Sequence, residues 1–432
     1  MGSLNEKPPL EVRWVKAPEP EAPEDRELVE RTAREIIDAV RERGDSAVRE
    51  FSARLDHWNP EQLRVGREEI ERAYATVGQR GVDDIAFLRD QVRAFAEAQL
   101  ASLSPAEVTP HPGIILGHRL VPVGSVGCYV PGGYYPLIAS AHMQVVTARV
   151  AGVERVIACA PPRGEGIWPG TLVAMDICGV DEIYCLGGAQ ALAAMAFGTS
   201  EIAPVDMITG PGNPDVAEAK RQLFGVVGID FLAGPTEILV IGDNFADPDV
   251  VACDLLGQAE HGPTSPAHLV TDSEGLADAV SESLESQLTA LPTREIADQA
   301  WRRRGAIAVV RGPGEMIAYS EWFAPEHLEV ITSDPDWYHE RLRNYGSIFL
   351  GEEATVAYSD KAIGTNHILP TGRAARYTGG LWVGKFIKVL TYQRLTRDGS
   401  NLIGPYAGRI AAMEGMLAHT ATCDRRLQKY RA

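Results

Sequence analysis

Gln258 and His261 stand three residues apart near the end of DPDVVACDLLGQAEHGP (Asp247 to Pro263), a spacing that puts both on one face of a helix's last turn. An oxygen and a nitrogen donor so placed suit a divalent cation such as zinc. On its own the pair reads more readily as a histidine resting on the negative end of a helix dipole beside a solvated glutamine. Glu326 and His327 are neighbours in FAPEHLEV (Phe323 to Val330), and adjacent groups of different pKa suit a reaction with more than one proton abstraction. Taken alone, a Glu-His pair before a strand is also an ordinary surface feature. Asp360, Asn366 and His367 fall in YGSIFLGEEATVAYSDKAIGTNHILPTG (Tyr345 to Gly372), a strand-like run followed by a long loop, where α/β proteins place polar site residues. Glu414 and His419 are five apart near the C-terminus, about 140° around a regular helix, so both should not bind one ion. One would ligate and the other would meet substrate, unless both simply line a solvated helix face.

These groups need a scaffold, and its texture is that of alternating strands and helices. SVGCYVPGG (Ser125 to Gly133), RVIACAPP (Arg155 to Pro162), EIYCLGG (Glu182 to Gly188) and DMITGPGN (Asp206 to Asn213) are short apolar runs closed by turns rich in Gly or Pro. ILVIGD (Ile238 to Asp243), GAIAVV (Gly305 to Val310), HLEVIT (His327 to Thr332) and SIFLG (Ser347 to Gly351) continue the pattern. The fold class expected is α/β, with two doubly wound, Rossmann-like parallel sheets. Asp247 and Pro248 form a good helix start for the Gln258 segment. GPGNPD (Gly210 to Asp215) matches only the first half of the dinucleotide fingerprint G-x-G-x-x-G. The remaining glycines either admit a pyrophosphate to a helix N-terminus or merely close βα turns. Glu27 to Leu55 reads as a helical hairpin broken at Gly44, and Gly81 to Leu103 as a further helix. The expected plan is a Pro-rich arm over 1–25, a first α/β domain from 26–120 with 236–380, a second over 121–235, and an all-helical tail over 381–432.

Composition narrows the function. The formal charge of −18, from 59 acidic against 41 basic residues, repels phosphate backbones and anionic lipid, so neither nucleic acid nor membrane is expected as a partner. No run of about 18 apolar residues is present to span a bilayer. MGSLNEKPPL has neither the apolar core of a secretion signal nor a transit-peptide pattern. The six cysteines lack C-x-x-C spacing, which points away from a disulfide framework and toward the cytoplasm.

VGCYVPGG, GGAQA, GPGN, AGPTEILV, DLLGQAEHGP, PEHL, GTNHILPT and EGMLAH occur in an order and at spacings that resemble histidinol dehydrogenase, from about residue 28 to the C-terminus. The resemblance implies zinc ligands Gln258, His261, Asp360 and His419, bases Glu326 and His327, and NAD contacts Tyr129, Gln190 and Asn213. It implies a substrate pocket lined by Thr236, His367 and Glu414 together with the metal ligands and His327. It further implies an intertwined homodimer whose helical tails cross, so that Glu414 and His419 complete the neighbour's site. The chemistry implied is a four-electron oxidation of a primary alcohol through an aldehyde to a carboxylate. Three positions depart from the usual pattern by being basic or titratable: Arg373, Lys385 and His142. RGEGIWP (Arg163 to Pro169) and ARYTGGLWVGKF (Ala375 to Phe386) look more like the sulfopropanediol 3-dehydrogenase branch. An anionic alcohol such as 2,3-dihydroxypropane-1-sulfonate is therefore expected ahead of L-histidinol, with Arg373 and His142 as added substrate contacts. A zinc hydrolase using Glu326, or a non-catalytic paralogue, are the remaining alternatives.

Overall fold

The computed structural model describes residues 8–19 and 26–431. Residues 1–7 and 20–25 of the expected arm, Pro20 and Pro23 included, lie outside the described residues. Within the described part of that arm Arg13–Lys16 forms strand β1. Helices α1 (Arg26–Arg43) and α2 (Asp45–Leu55) follow, separated at Gly44, whose φ of 56° suits a residue without Cβ. Helix α3 (Arg67–Ala101) starts well before the expected Gly81 and kinks at Gly78. Strands β2 (Ala106–His111) and β3 (Ile114–Pro122) come next.

The first parallel sheet contains β4 (Ser125–Tyr129), β5 (Arg155–Ala160), β6 (Glu182–Cys185), β7 (Met207–Thr209) and β8 (Gly228–Ile229), in the order β6-β5-β4-β7-β8. All neighbours run parallel. Helices α4 (Ile138–Ala151), α5 (Pro169–Cys178), α6 (Gly188–Phe197) and α7 (Pro214–Leu223) connect them. The strand order reverses between β4 and β7, where open parallel sheets receive ligands beyond their carboxyl ends. One expectation needs correction here. Segment 26–103 packs chiefly on this sheet and only in part with 236–380: α1 lies against α6 and α7, and α3 lies against α4 and α5 while also touching the turn Ser359–Ile363. The apolar stripes of these helices, Ile36, Ile37 and Val40 in α1 and Ile85, Leu88 and Val92 in α3, are buried there.

The second sheet is built from β9 (Ile238–Gly242), β10 (Ala267–Thr271), β11 (Gly305–Val309), β12 (His327–Ile331) and β13 (Ser347–Leu350). Its order is β1-β11-β10-β9-β12-β13, parallel except for β1, which runs antiparallel along β11. Every residue of β9 is buried, as a central strand covered on both faces requires. Helices α8 (Pro248–Ala259), α9 (Glu274–Ala290), α10 (Arg294–Arg304), α11 (Pro313–Phe323) and α12 (Pro335–His339) complete this unit. After β13 the chain turns through α13 (Val356–Tyr358) into a π-helical turn, Ser359–Ile363.

The tail is not wholly helical, contrary to expectation. β14 (Ile387–Leu395) pairs antiparallel with β3 over nine register positions, giving a three-stranded sheet β14-β3-β2. Helices α14 (Arg397–Met413) and α15 (Leu417–Arg431) then pack on each other. No helix among the described residues is long and apolar enough to cross a membrane.

Candidate active site

The amino ends of the second sheet's strands gather the candidate chemistry. Thr236 and Glu237 precede β9, and Glu326 and His327 stand at the mouth of β12, beside the end of α8. That helix starts as expected, with the Asp247 carboxylate accepting from the Asp249 N–H at 2.8 Å. Its last turn carries Gln258, whose Nε2 donates to Thr236 Oγ1 at 2.7 Å. Thr236 in turn donates to Glu326 Oε2 at 2.5 Å, and the Glu237 N–H donates to the same oxygen at 2.9 Å. His327 Nδ1 faces the Glu237 carbonyl at 3.0 Å. A carbonyl only accepts, so Nδ1 carries the hydrogen and Nε2 keeps its lone pair. That Nε2 atom is buried with no hydrogen-bond partner, and so is Gln258 Oε1.

Electrostatics sharpen these roles. Burial pushes the His327 imidazole down to about 4, so it is neutral at ordinary pH. Burial drives Glu326 well above the usual carboxylate range, while the Thr236 hydroxyl and the Glu237 N–H favour its ionised form. Burial would raise Asp360 too, but His367, Lys361, His327 and His261 around it hold its carboxyl below the ordinary value. Asp360 lies 3.5 Å from His367 Nδ1 and 3.3 Å from Lys361 Nζ. His261 and His367 are both pushed down, chiefly by burial.

The first sheet's carboxyl edge meets this centre. Ser140, at the start of α4, places its hydroxyl 3.2 Å from His367 Nε2. A Cβ at Gly262, next to His261, would stand 3.7 Å from the Tyr134 ring of the β4–α4 turn. Tyr129, Gln190 and Asn213 all lie at that carboxyl edge. The Tyr129 hydroxyl accepts from the Gly188 N–H at 3.2 Å, Gln190 Nε2 donates to Asp56 at 2.9 Å, and Asn213 caps α7 by accepting from the Val216 N–H at 3.0 Å. Gln190 Oε1 is buried without a partner. Under the GPGN turn the buried Lys220 and Asp230 bond each other and grip both polar groups of Gly210, through its N–H and its carbonyl, at 2.9 Å each.

The structure thus brings together Thr236, Gln258, His261, Glu326, His327, Asp360 and His367. It does not bring Glu414 or His419 to them. Glu414 caps the end of α14, His419 lies in α15, both are exposed, and the break at Gly415 means that no regular-helix angle relates them. Among the described residues no three His, Cys, Asp or Glu side chains form a metal-holding group. The donor set still fits zinc in part: Gln258 supplies an unsatisfied buried oxygen, His261 a nitrogen and Asp360 a carboxylate, leaving one position to a residue from elsewhere.

His142 needs a correction. Its ring is fully buried between α3 and α4, with Nε2 3.0 Å from the Ile85 carbonyl and Nδ1 3.3 Å from that of Ile138. It is a packing residue and not a substrate contact. Asn366 is likewise structural, donating to the Met143 carbonyl at 2.9 Å. Arg373 sits in a left-handed turn (φ 68°) just after Gly372, whose N–H donates to Glu237 at 3.1 Å, and Lys385 is half-buried in a 3-10 turn. Ser140, Asp56, Lys220 and Asp230 were not legible as site residues. Their pairing partners lie at least ten positions away along the chain, so no local pattern marks them.

A sequence model of the family described as histidinol dehydrogenase matches residues 20–427. The chain belongs to the histidinol dehydrogenase family. It is thereby an NAD-linked oxidoreductase acting on CH–OH groups. A histidinol dehydrogenase homolog of Shouchella clausii is 52% identical over 93% of this chain and 95% of its own length. The sulfopropanediol 3-dehydrogenase of Ruegeria pomeroyi is 47% identical over 93% of each chain. The crystal structure of histidinol dehydrogenase from Elizabethkingia anophelis superimposes with a TM-score of 0.89 at 33% identity, covering 96% of this chain and 95% of that one.

Proposed function

We propose that this member of the histidinol dehydrogenase family is a zinc-dependent homodimer that oxidises a primary alcohol through an aldehyde to a carboxylate. Its proposed substrate is a small anionic polyol of the 2,3-dihydroxypropane-1-sulfonate kind. The reading is carried by the hydrogen-bonded run from Gln258 through Thr236 to Glu326, beside a His327 whose Nε2 is bare. His327, neutral and with that lone pair available, takes the alcohol proton. Glu326 takes a proton from the water that adds to the aldehyde carbon, and Thr236 keeps its carboxylate oriented. Tyr129, Gln190 and Asn213 would hold NAD, which would supply the hydride acceptor for each oxidation. Gln258, His261 and Asp360, with His419 of an exchanged tail, would hold zinc, which would supply Lewis-acid polarisation of the substrate's polar group and no redox change.

The exposed positions of Glu414 and His419 support an exchanged tail, each reaching the partner's pocket, where Glu414 and His367 would meet substrate. Arg373, close to the Glu237 turn, is the cationic group offered to a sulfonate. The relative that carries the sulfopropanediol name supports this choice. The free cysteines, four of them buried, suit a cytoplasmic protein. L-Histidinol is the second reading, favoured by the match to a histidinol dehydrogenase crystal structure. Zinc-loaded protein incubated with NAD and each alcohol decides between them. The sulfonate should yield twice as much NADH as alcohol consumed. Turnover of histidinol alone moves the assignment to the second reading, and NADH from neither alcohol rejects both.

A further inference from the structure

Glu329 is a fully buried carboxyl on β12, two residues beyond His327 and on the same face of the strand. Alternate residues Leu328 and Val330 point into the opposite core, whereas Ile331 joins the core that contains α8. Facing Glu329 from α8 is Asp254, one helical turn before Gln258 and so on the same face of the helix. Glu329 Oε2 is buried with no hydrogen-bond donor, and the Asp254 carboxyl beside it raises the affinity of Glu329 for a proton. Among the described residues no Lys, Arg or His is hydrogen-bonded or ion-paired to either. Glu329 Oε1 accepts the Val356 N–H at 3.2 Å, and Asp254 Oδ1 accepts the Thr355 hydroxyl at 2.9 Å. Those donors begin the turn that becomes the π-helical segment holding Asp360.

We infer that Asp254 and Glu329 share one proton and act as a positioning pair, tying together the three segments that carry Gln258 and His261, His327, and Asp360. Two carboxylates in contact and without a cation would repel strongly in a dry interior, so a single retained proton is what lets the pair attract. Its placement is economical: one turn of α8 and one strand repeat of β12 separate it from the groups it positions. The inference that it matters for metal binding rests on the zinc reading above, whereas its effect on segment 355–363 does not.

The test compares native protein with E329Q, E329L and T355V, all full-length. Amide hydrogen exchange across 355–363 is read in metal-free protein, and zinc affinity is read by competition with a chromophoric chelator. The glutamine amide replaces the proton-bearing carboxyl as donor to Asp254, so E329Q should exchange like the native protein and keep its zinc affinity. E329L and T355V should exchange about tenfold faster or more in that segment, as expected for a lost hydrogen bond to a charged group. Zinc affinity of E329L should drop by about 10–100-fold, the usual effect of losing an outer-shell support. If E329Q behaves as badly as E329L, Glu329 is needed as an anion and the shared proton is wrong. Native-like exchange in T355V and E329L shows that the pair positions nothing. Should E329L fail to fold, T355V against E329Q still decides, and a native protein that takes up no zinc removes the metal reading while the exchange data stand.

Discussion

At the scale of single residues, burial tunes the two proton-transfer groups in opposite directions, His327 down and Glu326 up. His327 is held neutral with its hydrogen on Nδ1, and Glu326 is poised by two donors that oppose the cost of burial. His327→Asn and Glu326→Gln should each lower turnover by about 10²–10⁴, the usual share of general-base catalysis. Zinc content by atomic spectroscopy should stay unchanged in both, and a matching loss of metal would reassign the two residues. The buried histidines also set an acid limit. His142 and His327 are pushed down to about 4 and His268 to about 3, all by burial, from an ordinary 6.5. Between those values the unfolded chain takes up protons that the folded chain refuses, so stability is full above about pH 6.5 and falls as pH drops toward 4. Thermal unfolding of metal-free protein across that range should show the fall, and His142→Gln should make it shallower. Spacing and adjacency single out Gln258, His261 and the Glu326-His327 pair, but only the ordered family motifs give them roles, since each pair alone also reads as an ordinary helix end or surface pair. His142 was misread because an alignment-like departure shows that a residue is unusual, not which way its ring points.

Among the elements, the legible ones carry a continuous apolar run and a turn signal. β4, β5, β6, β7, β9, β11, β12 and β13 all fall where such runs stand, since strands covered on both faces have no polar alternation to confuse them. β14 escaped for the opposite reason. Eight of its nine residues are exposed in the chain, so IKVLTYQRL shows no buried face to read. β10 (Ala267–Thr271) was passed over although it is as long as β9. The turns at the first sheet's carboxyl edge are more exacting than their composition shows. Gly210 has φ 116°, and a Cβ there would stand 2.1 Å from the Tyr129 carbonyl oxygen. Gly210→Ala should therefore displace the turn and weaken NADH binding by about tenfold or more, given that each 1.4 kcal/mol is a factor of ten. Fluorescence titration with NADH reads this directly, and native affinity would show that the turn does not touch the dinucleotide.

For the molecule as a whole, periodicity predicted the helices of 26–103 but not their partner, because an amphipathic stripe does not say which sheet it covers. The tail raises the same issue between chains. Met413, Leu417, Ile410 and Tyr406 are all more than half exposed on α14 and α15, and Val389 is likewise exposed on β14. Such an apolar surface fits the exchanged-tail dimer proposed above. In that dimer, inactive His419→Ala and inactive Glu326→Gln proteins, mixed under conditions that exchange subunits, should regain about a quarter of native activity, since half the dimers are mixed and one pocket in each is intact. A tail that serves its own chain would give no recovery. At the opposite end of the chain, β1 lies along β11 and Lys16 clamps it by donating to the Arg302 and Gly305 carbonyls. That short ribbon is a selvedge: it binds off a weave whose outermost thread would otherwise present bare amides to any passing strand. A protein shortened past Lys16 would keep its pocket and every group in it, yet would be expected to clump and to redden amyloid dyes, making this lane a safeguard of solubility as much as a part of the fold.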